Sequence, residues 1–154
     1  MSKVVVLNYQ NDHDYNLVGL HTSLEDYRLA FFLNSNLNIQ LKRNADDLDF
    51  YDGHAQFALY TYDCSKDFIT WSLIANKYNY VSKDLTSTNL FSEQYQTSVL
   101  IPEKKQVDYF LKIEADMHMP KLETILSTIN NIKNILTSYS INPQTLKSRD
   151  FLIF

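Results

Sequence analysis

Hydrophobic and polar positions alternate most clearly in the middle of the chain, where Gln56 to Tyr62 and Phe68 to Asn76 are rich in aromatic and β-branched residues and flank the polar stretch Asp63 to Asp67. That pattern predicts an antiparallel strand pair. Upstream, Lys3 to Asn8 and Tyr15 to Leu20 predict two short strands that can form a hairpin across the polar segment Gln10 to Asp14. Ser23 followed by Asp26 resembles a capping box with Asp in the acidic position, and predicts a helix to about Leu33, ended by Asn34-Ser35-Asn36. Leu24, Tyr27, Leu29, Ala30, Phe31, Phe32 and Leu33 cover more than one stripe, which predicts a helix enclosed on two sides. Leu37, Ile39 and Leu41 then alternate as a short strand, and Asn44 to Gly53 read as an acidic loop.

In the second half, Lys77 to Gln94 is polar without a sustained period and reads as a long loop. Tyr95 to Ile101 and Val107 to Ile113 predict a β-hairpin around Pro102 and the polar residues Glu103 to Gln106. Beyond that turn, Val107, Tyr109, Leu111 and Ile113 alternate with Asp108, Phe110, Lys112 and Glu114, one apolar face and one mostly polar. Pro120 suits the first position of a second helix, whose apolar residues Leu122, Ile125, Leu126, Ile129, Ile132, Ile135, Leu136 and Tyr139 keep helical spacing until Asn142-Pro143. Phe151 to Phe154 predict a last strand, in which burial of Phe151 and Ile153 would contribute about 1.5 to 3 kcal/mol each. Strands that arrive as hairpin-length neighbours make this an α+β chain, a predominantly antiparallel β-sheet with two α-helices packed on it. A length of 154 residues fits one domain over 1–154.

Composition narrows the function classes. A net charge of −4, with no basic run longer than Lys42-Arg43 or Lys104-Lys105, argues against nucleic acid and anionic membrane as partners. A lone cysteine, Cys64, forms no internal disulfide, and the apolar run Val4 to Leu7 is too short for a signal or a membrane span. The expected compartment is the cytoplasm. Two glycines, Gly19 and Gly53, leave no GxGxxG, P-loop or nucleophile elbow.

The remaining chemistry is sparse. Asp46-Asp47-Leu48-Asp49-Phe50-Tyr51-Asp52-Gly53 invites a calcium reading, but a loop starting at Asp47 places Asp52 at the sixth position and Ala58 at the twelfth, where an EF-hand needs Gly and Glu. It reads as a solvated loop. His13, His21, His54 and His118 lie in separate segments without metal-ligand spacing, so no metal and no cofactor is expected. Cys64 beside Asp63 and Asp67 is a poor nucleophile, because those charges raise its thiol pKa. Tyr60, Tyr62, Tyr78, Tyr80 and Tyr95 flank the central strands and suit an aromatic binding surface, or ordinary packing.

Ile101-Pro102-Glu103, three residues, Val107-Asp108-Tyr109 resembles the signature of the IPExxxVDY family of small bacterial proteins. Asp26-Tyr27-Arg28-Leu29 and Leu146-Lys147-Ser148, followed by an apolar end at Phe154, are similar to other recurring pieces of that family. The resemblance implies a small cytoplasmic protein and supplies no substrate or catalytic residue. Asp26, Arg28, Glu103, Asp108 and Tyr109 are the candidate binding residues, a polar patch for docking a partner. The competing reading is structural: Glu103 stabilises its turn, Asp108 pairs with Arg28 or Lys112, and Tyr109 is core. The expected function is a non-catalytic protein-interaction or regulatory module. The alternatives are a small-molecule-binding domain with a pocket between sheet and helices, and an enzyme using scattered acids and histidines.

Overall fold

The computed structural model describes residues 14–50, 55–83 and 93–154. It is an α+β fold built on a six-stranded sheet, antiparallel throughout, with two helices packed on it. In chain order the strands are β1 (Asn16–Thr22), β2 (Lys42–Arg43), β3 (Leu48–Phe50), β4 (Ala55–Phe57), β5 (Leu59–Cys64), β6 (Ile69–Ala75), β7 (Lys77–Lys83), β8 (Glu93–Val99), β9 (Tyr109–Ala115) and β10 (Ile135–Ile141). The main sheet runs β10-β1-β9-β6-β5-β2, and β3-β4 and β7-β8 form two separate ribbons. The β5–β6 pair falls close to where the aromatic alternation placed it, but Gln56 and Phe57 belong to β4 and Asp63 and Cys64, expected in the turn, to β5, and β1 covers Tyr15–Leu20 displaced by a residue or two. Lys3 to Asn8 lie outside the described residues.

Both faces of the sheet are buried, against different materials. On one, Val18, Leu20, Leu73, Leu111 and Ile113 meet Leu29, Ala30 and Leu33 of α1 (Asp26–Leu37) and Ile125 and Ile129 of α2 (Leu122–Asn130). On the other, Leu17, Leu59, Ile74 and Phe110 meet Phe57, Leu100, Ile101, Val107, Leu146 and Leu152, which belong mostly to turns and short 3₁₀ segments. Gly19 sits on this second face, where a Cβ would lie 2.8 Å from Ile141 Cδ1, so glycine leaves room for the tip of the Ile141 side chain.

Several expectations are corrected. α1 is capped at Glu25 without a side-chain bond, so Ser23-Asp26 is not a capping box, and the helix continues through Asn34-Ser35-Asn36 to Leu37. Asn34 faces inward instead of stopping it: its Oδ1 accepts from Leu41 N–H at 2.7 Å and its Nδ2 donates to Leu41 O at 3.1 Å. Leu37, Ile39 and Leu41 therefore form no strand, and the turn is made by Asn38 at φ 60. Nor is α1 enclosed on two sides, since Tyr27 and Phe31 are 60% and 64% exposed. Part of the acidic loop is a ribbon, β3 on β4, with residues 51–54 outside the described ones.

The second helix is halved. Asn131 to Asn134 break it, Asn134 at φ 73, and Ile135, Leu136 and Tyr139 lie on β10. The hairpin expected around Pro102 does not form either, because β8 pairs with β7, taken from the stretch read as loop, and β9 inserts between β1 and β6. Pro102–Lys104 form a 3₁₀ turn gathered around Asn76, which is fully buried. Asn76 Oδ1 accepts from Ile101 N–H at 2.9 Å, and its Nδ2 donates to the carbonyls of Lys104 at 2.9 Å and Val107 at 2.8 Å. One amide satisfies three backbone groups of an irregular buried turn.

β9 has no polar face in the interior: Phe110 is fully buried and Lys112 is 3% exposed. Lys112 Nζ donates to Leu152 O at 2.8 Å, meets Glu114 at 3.1 Å, and lies over the rings of Tyr15 and Phe154. The chain end it holds is a 3₁₀ turn, Arg149–Leu152, not a strand, and Leu152 is buried while Ile153 is exposed.

Candidate functional site

Where β1 hands over to α1, the chain from Thr22 to Asp26 forms one wall of an open cleft of about 480 Å³. Arg43, Asp47 and Gln56 form a second wall, and Lys77, Tyr78 and Asn79 face them across the ends of β6 and β9. Asp108 and Tyr109, at the start of β9, make the floor.

Asp108 is held twice. Its Oδ2 accepts from Thr22 N–H at 2.9 Å and its Oδ1 from Lys77 Nζ at 2.8 Å. The first bond occupies a backbone donor at the end of β1, and the second is a charge-assisted contact across the cleft. The Tyr109 hydroxyl donates to Leu24 O at 2.9 Å, just before α1 begins. Burial first, then the nearby Asp26 and Asp108 carboxylates, push this phenol far above its ordinary value, so it stays a neutral donor.

On the opposite wall Arg43 is the organiser. It donates to Asp26 Oδ2 at 2.9 Å and, through Nη2, to both oxygens of Asp47 at 2.9 and 2.7 Å, while its guanidinium lies 5.7 Å above the Tyr60 ring. The Asp47 hydrogen bond raises the guanidinium further above its usual value, against the smaller opposing effect of burial. Burial and Asp26 raise the Tyr60 phenol, and Arg43 offsets part of that. Four carboxylates, Glu25, Asp26, Asp47 and Asp108, share the cleft with two cations, Arg43 and Lys77. The balance is negative.

Of the five residues proposed from sequence, the fold brings Asp26, Asp108 and Tyr109 together and leaves two out. Arg28 is exposed on α1 and does not reach the cleft or pair with Asp108. Glu103 lies with the other layer, where its Oε1 accepts from Ser148 N–H and its Oε2 from Ser148 Oγ at 3.0 Å. Burial pushes this carboxyl up, but hydrogen bonds from the Ser148 and Glu103 backbones and the Ser148 hydroxyl outweigh it, and the net shift is downward. The Ile101-Pro102-Glu103 turn is thus tied to the Leu146-Lys147-Ser148 segment, and Asp108-Tyr109 to the start of α1.

Arg43, Asp47, Lys77 and Asn76 were missed as functional or organising residues. Lys42-Arg43 was visible only as a short basic pair, and Asp47 only as part of an acidic run. Nothing in the sequence joins either to Asp26. The five tyrosines do not form one cluster: Tyr60 is core beneath Arg43, Tyr78 lines the cleft and stacks on Tyr80, and Tyr95 is 83% exposed on the β7-β8 ribbon. Cys64 Sγ lies 3.5 Å from Asp67 Oδ2. Among the described residues no three His, Cys, Asp or Glu side chains stand close enough to hold a metal ion, and His13 and His54 lie outside them. Nor is any described helix long and apolar enough to cross a membrane. Compared with protein-family models, curated proteins and solved structures, the chain matches none.

Proposed function

We propose that this chain is a non-catalytic cytoplasmic binding module of the IPExxxVDY kind, and that its cleft receives a positively charged segment of a protein partner. One observation carries the reading: Asp26, Asp108 and Tyr109, drawn from two distant stretches, line a single open cleft in which carboxylates outnumber cations. The chemistry of the lining supports binding over catalysis. Among the described residues no histidine or cysteine lines it, and Asp26, Asp47 and Asp108 are engaged by Arg43 or Lys77 in ion pairs. Carboxylates already engaged by fixed cations are placed for charge recognition more than for taking a proton from a substrate. A second reading, a small polar ligand, is favoured by the volume, which lies in the usual range for ligand sites.

Glu25 and Gln56 are exposed on the rim and give the cleanest test. The tagged protein is purified natively from its own host alongside a Glu25→Lys/Gln56→Lys variant of equal melting temperature. A stoichiometric protein retained by the parent and lost by the variant supports the proposal. A partner held equally by both contradicts it, and a retained small molecule lost by the variant replaces it with the second reading.

A further inference from the structure

Strand β10 ends the main sheet, and among the described residues its one strand neighbour is β1. An edge strand presents unpaired backbone N–H and C=O groups that another extended chain can join. Its sequence, Ile-Leu-Thr-Ser-Tyr-Ser-Ile, carries no charge and no proline, the composition that accepts such pairing most readily.

Ser138 is the central residue of this strand, and its outward groups are already taken. Its N–H donates to Asn130 Oδ1 at 2.7 Å, its carbonyl accepts from Asn130 Nδ2 at 3.4 Å, and its hydroxyl donates to Asn130 Oδ1 at 3.0 Å. A single side-chain amide therefore meets the backbone donor and acceptor of one residue, as the peptide of a facing strand would. Asn130 is the last residue of α2 and is otherwise exposed. A second feature interrupts the same edge: the β1–β10 register skips Leu136, which is 84% exposed. Bulges of this kind twist an edge away from flat pairing.

We propose that the Asn130 amide is a plug that keeps β10 from pairing with β10 of a second copy of this chain. The geometry favours a second copy as the occupant. A two-fold axis at Ser138 would set that residue against its own counterpart, and Leu136 against the counterpart of Ser140, with no like charges facing each other. The two bonds formed at the axis would be the two that Asn130 now supplies.

The full chain and an Asn130→Ala variant are compared by analytical ultracentrifugation over a concentration series. Alanine suits the exposed helix end, so the variant is expected to fold. The plug predicts that the dimer dissociation constant falls at least about tenfold in the variant. Adding Ser138→Pro, which removes the outward N–H, should restore the parent's behaviour. A folded Asn130→Ala protein that sediments like the parent throughout would overturn the proposal, as would a parent already paired through β10. Should the variant not fold, hydrogen exchange in the parent decides. The Ser138 amide is expected to be as protected as a ladder amide, and exchange at the rate of an open edge amide would overturn the plug.

Discussion

The two layers that cover the sheet are built on different principles. On the helix side, Leu29, Ala30, Leu33, Ile125 and Ile129 bury apolar surface while each helix satisfies its own backbone, and side-chain hydrogen bonds such as Asn34 to Leu41 and Asn130 to Ser138 are needed toward the helix ends. On the far side, turns and 3₁₀ segments supply Leu100, Ile101, Val107, Leu146 and Leu152, and their backbone groups have no ladder to join. Polar ties fill that need, among them Asn76 on the 101–107 turn, Glu103 on Ser148, and Lys112 on Leu152 O. Apolar burial is the same driving force in both layers. What differs is how each irregular backbone stays satisfied once water is gone.

If that contrast is right, the largest single loss should come from a polar residue. Asn76→Ala removes the partners of three backbone groups in a fully buried turn. The cost is expected at about 4 kcal/mol, and urea unfolding would measure it. Leu33→Ala, the matching change on the helix side, should cost about 3 kcal/mol through lost burial and the cavity left behind. A smaller loss for Asn76→Ala than for Leu33→Ala would erase the distinction between the layers.

Lys112→Met comes next, at about 2 kcal/mol, because methionine still packs against Tyr15 and Phe154 but leaves the Leu152 carbonyl without its donor. Trypsin should then cleave after Arg149 faster than in the parent, with the helix layer unaffected. The smallest effect is Glu103→Gln, below about 1 kcal/mol near neutral pH, since the residue is exposed and solvent screens its charge. Its pH dependence is the useful part. The folded carboxyl lies below the ordinary value of 4.5, so its contribution is fully present above that value and is lost as pH falls through the folded one. Melting curves of parent and variant should converge in that acidic range. A constant gap would mean that the charge of Glu103 does not act on Ser148.

The same contrast explains what the sequence revealed. The β5–β6 pair and the first part of α2 were legible because their apolar periods are uninterrupted. The rest of the second helix was misread for a local reason: Ile132, Ile135, Leu136 and Tyr139 keep helical spacing, whereas on β10 Ile135 and Ile141 pack on opposite faces of the sheet and Leu136 is the exposed residue that the register skips. The far layer was opaque because its order depends on Asn76, one of many asparagines, and on contacts such as Glu103 with Ser148, 45 residues apart. Asp26, Asp108 and Tyr109 were found through the segments that carry them. Arg43 and Lys77 complete the cleft only through the fold.

The cleft lies on the seam between the layers, one wall on the approach to α1 and another on the Lys77–Asn79 stretch that follows Asn76. Its walls should therefore differ in stability. Native-state hydrogen exchange at rising denaturant, resolved by residue, tests this most directly. The account predicts that the amides of Leu100, Ile101 and Val107 open together at a lower free energy than those of Leu29 in α1 and Leu111 in β9, which open only with global unfolding. A single free energy for all five would contradict it, and would mean that the polar ties are as firm as the helical layer they face.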